Sequence, residues 1–305
     1  MKLVFAGTPG AAVPSLAALA ASEHELAAVV TRADAPLGRK RVLTPSPVAA
    51  VAAGHGLPVL KTNRLDDGVT ADIAALRPDL GVIVAYGGLV REPLLSVPRL
   101  GWINLHFSLL PRWRGAAPVQ RAVIAGDERA GAAVFQLVRE LDAGPVFGTE
   151  SQPIGAHTTS GSLLESLSDS GADLLLRVIA GIAAGTAHAE EQVGEVTLAP
   201  KLTIEDARVD WTAPARDVYN RVRGVTPEPG AFTIVGGARL KLLTIAPAPD
   251  GPTLPAGTIL EHDKRVLVGT ATEPVELLTV QPAGKTAMTA IDWWRGVAAT
   301  EMIAS

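Results

Sequence analysis

The chain has no cysteine. Disulfide frameworks, zinc–cysteine sites and thiol nucleophiles are therefore excluded. Its histidines (His24, His55, His106, His157, His188, His262) are dispersed, with no H-E-x-x-H and no close pair, so a catalytic metal is not expected. Aromatic residues are only 4% and charged residues 19% of 305, against 48% hydrophobic, a globular composition long enough for two cores. No segment approaches the roughly 20 apolar residues of a membrane span, and Arg177 interrupts the most apolar late helix. The uncharged run from Leu3 to Ser22 is comparable to a secretory leader, but Gly7, Pro9, Gly10 and Pro14 break it where a strand would turn into a helix. The expectation is a cytoplasmic protein with no membrane contact. A net charge of -4 excludes a global positive field, so contact with a polyanion must come from local patches.

Several nucleotide and hydrolase motifs are also missing. Gly7-Thr8-Pro9-Gly10 lacks the G-x-G-x-x-G spacing that brings backbone to a pyrophosphate. Gly284-Lys285-Thr286 ends like a phosphate-binding loop, but Thr279 stands where the first glycine is needed. No G-x-S-x-G elbow accompanies Ser108.

What is present alternates. Lys2 to Ala6, Leu26 to Thr31 and Leu80 to Ala85 are apolar runs of strand length, separated by Ala-rich helical stretches such as Ala11 to Ala21. That order predicts an α/β fold, a mostly parallel sheet with helices on both faces. Ala132 to Val138 and Val146 to Pro153 read as further strands, and Thr159 to Ile182 as a long helix. From Gly185 to Asp206 the pattern loosens into mixed Gly, Glu, Thr and Pro, which reads as a linker. Beyond a helix at Ala213 to Arg223, short alternating strands predict a small β-barrel. The expected division is a domain over 1–184, a linker over 185–206 and a second domain over 207–305.

The stretch from Trp102 to Gly115 concentrates the polar chemistry. In an extended segment Asn104 and His106 share a face. An amide and an imidazole at a strand end can donate hydrogen bonds to an oxyanion, as acyl transfer requires; the plain alternative is a strand end with ordinary hydrogen bonds. Asp142, beside Ala143-Gly144, is by itself ordinary turn chemistry. Arg32, Arg39, Lys40 and Arg41 surround Asp34, Pro36 and Gly38. Such a charge run is either a solvated face or a mobile loop presented beside the sheet's ligand edge.

Taken together, Asn104-x-His106-x-Ser108-Leu109-Leu110-Pro111 and Leu141-Asp142-Ala143-Gly144-Pro145 resemble the folate-dependent formyltransferases, which use an Asn, a His and an Asp. The extension Arg112-Trp113-Arg114-Gly115-Ala116-Ala117-Pro118 is similar to the branch of that family acting on methionyl-tRNA, and ordered matches run from Phe5-Ala6-Gly7-Thr8-Pro9 to Gln281-Pro282-Ala283-Gly284-Lys285. The resemblance implies a Rossmann-like domain followed by an OB-like barrel. It implies 10-formyltetrahydrofolate as formyl donor, the amino group of initiator methionyl-tRNA as acceptor, and a monomer without metal. Asn104, His106 and Asp142 become the catalytic candidates, with Asp142 raising the imidazole pKa so that a protonated His106 stabilises the oxyanion. Gly88, Leu89, Val90, Ser108, Leu109, Leu110, Pro111, Val138 and Leu141 become the folate contacts. Arg32, Arg39, Lys40 and Arg41 become tRNA contacts.

Two departures stand out. Val225 and Glu228 occupy positions where the resemblance leads one to expect aromatics. From Asp206 onward ten Lys or Arg face eleven Asp or Glu, so clustering rather than net charge must hold tRNA. Formylation of an amino-sugar nucleotide or of a glycinamide ribonucleotide remains an alternative, since all would share Asn, His and Asp. A silent tRNA-binding module would need the basic loop but not the three polar residues together.

Overall fold

The computed structural model describes residues 1–38, 40–297 and 299–305. The chain divides into two compact units, one of Met1–Pro118, Arg129–Gln152 and Leu164–Ala199, the other of Val119–Glu128, Pro153–Leu163 and Pro200–Ser305.

In the first unit, β1 (Lys2–Gly7), β2 (Glu25–Thr31), β3 (Val59–Lys61), β4 (Leu80–Val84), β5 (Trp102–His106), β6 (Arg129–Gln136) and β7 (Val146–Pro153) form one sheet ordered β7-β6-β5-β4-β1-β2-β3. The five strands from β5 to β3 in that order are parallel, and β6 runs antiparallel to β5. The mostly parallel sheet read from the sequence is present. Leu3, Val4 and Phe5 are fully buried because β1 has neighbours on both sides. Helices α1 (Val13–Ala20), α2 (Pro47–Gly54) and α3 (Asp67–Leu76) connect β1 through β4. Ser46 caps α2 by accepting from the N–H of Ala49 at 3.0 Å, and Asp66 caps α3 through Val69 at 3.1 Å. After β3 the chain returns to β4 on the opposite side of β1. The strand order therefore reverses there, the place where open parallel sheets form ligand crevices beyond their carboxyl ends.

The second residue of β4 is glycine for a reason. Gly81 pairs with Trp102, and a Cβ there would lie 2.1 Å from the indole ring. Trp102 is fully buried and its Nε1–H donates to the carbonyl of Leu94 at 2.9 Å. That anchors the start of β5 and so sets where its polar end emerges. β6 starts and stops earlier than the sequence pattern predicts: its pairing with β5 ends at Gln136, opposite Ile103, and the N–H of Leu137 already turns to the carbonyl of Trp102.

Helices α4 (Pro118–Ala125) and α5 (Ser160–Ala184) follow β5 and β7. In the second unit, α6 (Ala215–Gly224) precedes β8 (Phe232–Val235), β9 (Ala238–Pro247), β10 (Thr258–His262), β11 (Arg265–Val268) and β12 (Val275–Pro282), and α7 (Ala290–Val297) comes after them. The sheet runs β8-β9-β12-β11-β10 and continues to Met302–Ile303, every neighbour antiparallel. Ile234 and Ser305 exchange backbone hydrogen bonds at 2.9 and 3.0 Å, which joins the last strand to the first and closes the sheet as an OB-like barrel. Val218 and Val222 of α6 pack into the same core as Leu240, Leu242 and Val266. Among the described residues no helix is long and apolar enough to cross a membrane.

Candidate active site

β5 delivers Asn104 and His106 at the carboxyl end of the parallel sheet. Asn104 sits between Ile83 of β4 and Phe135 of β6, and His106 opposite Ala133. The asparagine is half-buried. Beyond His106 the chain folds over itself: the buried Ser108 hydroxyl donates to the carbonyl of Arg112 at 2.6 Å. The loop brings Trp113 to positive φ (61°), where its carbonyl lies 2.9 Å from Nε2 of His106. An αL conformation is unusual for so bulky a residue and must be held by its surroundings. Here the N–H of Trp113 donates to Oγ1 of Thr197 at 2.9 Å.

Asp142 arrives from the turn after β6, also at positive φ (46°). Its Oδ2 accepts the N–H of Gly115 at 2.8 Å and lies 3.8 Å from Nδ1 of His106. The latter distance is too long for a hydrogen bond but close enough for charge to be felt. Both side chains are buried, His106 being 6% and Asp142 8% exposed. Burial is the largest influence on His106 and pushes its pKa below the ordinary value; the Asp142 charge and the Trp113 carbonyl push it up, less strongly. The resting imidazole is therefore neutral, whereas the resemblance implies a protonated one. The carbonyl contact fixes the proton on Nε2 and leaves Nδ1 basic and facing the carboxylate.

The other expected site residues fall into two groups. Gly88, Leu89 and Leu141 are exposed, with Leu89 at 62% and Leu141 at 51% presenting large apolar side chains beyond β4 and β6. Val90 lies in the core with Ile83 and Trp102. Leu109 lies against Gly131, Pro111 beside Gly194 and Val138 against Gly144, while Leu110 is half-buried. Of the basic residues, Arg32 is tied down: its guanidinium donates to the carbonyls of Gly87 and Asn63 and lies 5.6 Å from the ring centre of Tyr86. Lys40 and Arg41 are exposed around a ribbon formed by Ala35–Leu37 and Val42–Thr44. Arg39 lies outside the described residues. No group of His, Asp and Glu among the described residues could hold a metal ion.

An amide and a poised imidazole–carboxylate pair at the carboxyl end of β5, one strand from the switch point of such a sheet, suit transfer of an acyl group. The formyl transferase model matches residues 1–179, and the formyl transferase C-terminal domain model matches residues 201–298. The chain belongs to the formyl transferase family. It is similar to proteins named methionyl-tRNA formyltransferase, at 64% identity to that of Clavibacter sepedonicus (100% of both chains) and 57% to that of Thermobifida fusca (97% of this chain, 96% of the relative). In fold it resembles a solved N-formyltransferase from Helicobacter canadensis in complex with folinic acid and dTDP-3-aminofucose. That match has a TM-score of 0.70 at 15% identity and covers 92% of this chain and 99% of the other.

In this formyltransferase, residues that the sequence pattern does not single out close the site. Arg114–Gly115 pairs in parallel with Leu198–Ala199, within the segment read as linker. Gln192 of the same segment donates from Nε2 to the carbonyls of Asp142 (2.8 Å) and Gly144 (2.9 Å). Its Oε1 accepts from Arg114 at 3.1 and 2.6 Å. A glutamine in a Gly- and Glu-rich stretch carries no local signal of such a role.

Proposed function

We propose that this formyltransferase moves the formyl group of 10-formyltetrahydrofolate to the amino group of methionyl-initiator tRNA, the modification that prepares that tRNA for translation initiation. The observation that carries the mechanism is the buried His106–Asp142 pair beside Asn104, whose amide makes no side-chain hydrogen bond among the described residues. The folate donor supplies an activated formyl carbon attached to N10, which departs as an amine. Exposed Leu89 and Leu141, with the backbone at Gly88, suit the flat face of a pterin. Asn104 donates to the formyl oxygen as the attacking amine makes it negative. His106, neutral at rest, accepts the proton that the amine must lose as the new C–N bond forms. The resulting imidazolium faces Asp142 and can release that proton to the departing nitrogen. Asp142 favours the charged imidazole just when it forms.

The relatives named for methionyl-tRNA support the acceptor. So does local charge: Lys241 pairs with Phe232 and Gln281, the Arg239 guanidinium lies 4.0 Å over the Phe232 ring, and Gln281 bonds the carbonyl of Lys285. Arg239, Lys241 and Lys285 have no carboxylate partner among the described residues, whereas Arg265 and Arg295 do. This patch supplies the positive field that a near-neutral C-terminal portion lacks overall. We further propose a catalytic domain over 1–184, a connecting segment over 185–206 and a tRNA-holding domain over 207–305, working as a cytoplasmic monomer. The test is transfer of labelled formyl from 10-formyltetrahydrofolate to charged initiator tRNA by the purified protein. Transfer to an amino-sugar nucleotide with none to methionyl-tRNA would overturn the assignment.

A further inference from the structure

Asp142 and Trp113 both hold positive φ, and neither is a glycine. Such conformations persist only where neighbours over-determine them. For Asp142 those neighbours are Gly115, which binds its carboxylate, and Gln192, which binds its carbonyl. For Trp113 they are Thr197 through its N–H and His106 through its carbonyl. Backbone bonds stitch the strap over 192–199 to this loop: the N–H of Arg114 donates to the carbonyl of Thr197 at 2.9 Å, and those of Ala116 and Ala117 donate to the carbonyl of Ala199 at 2.8 and 3.1 Å. Gln192 thus joins the two halves of the site. Its amide nitrogen holds the turn that carries Asp142, and its oxygen is gripped by Arg114, two residues before Ala116 and next to Trp113.

We infer that Gln192 is a positioning residue of formyl transfer, fixing the Asp142 turn against the loop whose Trp113 carbonyl orients His106. The amide is suited to this because it offers donors to two carbonyls and an acceptor to a guanidinium at once. Its fork geometry leaves one orientation that satisfies all of these partners, since a flipped amide would set oxygen against the Asp142 carbonyl. Gln192 touches no reacting group. It acts on the distance between Nδ1 of His106 and Oδ2 of Asp142, and hence on a step whose charge develops in the transition state. The inference rests on the reading of His106 and Asp142 as the reacting pair.

Two variants separate positioning from folding. Gln192→Ala removes every one of these hydrogen bonds, while Gln192→Glu keeps the volume and the acceptor for Arg114 but loses the donors to Asp142 and Gly144. Both should lower kcat about tenfold to a hundredfold, the usual range when a group that orients a functional side chain is removed, with KM for the formyl donor and for methionyl-tRNA within about threefold. Gln192→Glu should lose some melting temperature, because a carboxylate oxygen then faces the Asp142 and Gly144 carbonyls, but it should stay folded under assay conditions because the Arg114 interaction survives as an ion pair. Asp142→Asn is run alongside. If Asp142→Asn is crippled while Gln192→Glu turns over at the wild-type rate, Gln192 is not a positioning residue and the pair stands. If Asp142→Asn also turns over normally, the reading of the pair falls and the inference with it. A fall in melting temperature with kcat intact would mark Gln192 as a structural strut only.

Discussion

The backbone N–H of Gly115 donates to Oδ2 of Asp142 at 2.8 Å, the same oxygen that faces Nδ1 of His106. Gly115 can do this because it has φ +127° and no Cβ; a Cβ would lie 2.7 Å from the carbonyl oxygen of Ala199. Gly115→Ala should therefore strain the loop by about 1 to 3 kcal/mol and push it off Leu198–Ala199, withdrawing the N–H from Asp142. A lower melting temperature together with a lower kcat is the expected result. Wild-type values for both would show that the close approach is unimportant.

Removing a donor aimed at developing charge typically costs roughly 10² to 10³ in rate. Asn104→Ala should fall in that range, and His106→Ala, which removes the group that takes the amine's proton, should cost about 10² to 10⁴ in rate, with donor affinity little changed in both. Asp142→Asn should fall comparably, because the imidazolium formed during transfer would lose its opposing charge. Single-turnover rates at saturating substrates read this directly; rates within about threefold of wild type for all three would dismiss the mechanism.

The pH dependence follows from the neutral resting imidazole. Burial holds the His106 pKa below its ordinary value of about 6.5. As pH falls through the folded pKa, His106 protonates and can no longer accept the amine's proton, so the acid limb of kcat/KM assigned to His106 should lie below about 6.5. Asp142→Asn should move that limb further down, since the raising charge is gone. Stability has the same sign: between the folded and unfolded pKa values the unfolded chain binds the extra proton, so stability is complete above about 6.5 and declines as pH falls below it. His106→Asn should flatten the part of the melting-temperature slope between about pH 5 and 7 that His106 contributes. An acid limb centred above about 7 and unmoved by Asp142→Asn would contradict this assignment.

Much of this is legible from residue order alone, and the physical reason differs from place to place. Buried parallel strands must be continuous apolar runs, so β1, β2 and β4 announce themselves, as does the side-by-side placement of Asn104 and His106 on β5. The strap over 192–199 cannot be read that way, because its work is done by backbone groups of Thr197 and Ala199, the Thr197 hydroxyl and one glutamine, none of which leaves a periodic pattern. The state of His106 is hidden for a related reason. Proximity to an acid suggests a raised pKa, but how far water is excluded from the ring depends on packing by distant residues such as Phe135, whose ring meets it edge-on at 6.4 Å. Arg32 likewise belongs to a charge run by sequence, while its contacts with Gly87, Asn63 and Tyr86 emerge only from the fold.

The last expectation concerns how a chain of net charge -4 holds a polyanion. Counterions released when cationic side chains neutralise phosphates make affinity fall with salt, by about 0.7 to 0.9 in log–log slope for each phosphate neutralised. Arg239, Lys241 and Lys285 lack carboxylate partners among the described residues, so their charge is not already neutralised by the protein. Replacing all three by Ala should weaken methionyl-tRNA binding at low salt and flatten the salt dependence, while leaving the rate of bound substrate unchanged, since chemistry resides at Asn104, His106 and Asp142. Arg39→Ala with Lys40→Ala and Arg41→Ala, in the basic stretch of the sequence, should also weaken binding. If that stretch touches bases as well as phosphates, the same variant should lower discrimination between initiator and elongator tRNA. Filter binding across a salt series, combined with formylation of both tRNAs, distinguishes the two effects. An unchanged slope in the Arg239, Lys241 and Lys285 triple variant would mean that the barrel patch does not meet phosphate, and that the positive field comes from elsewhere in the chain.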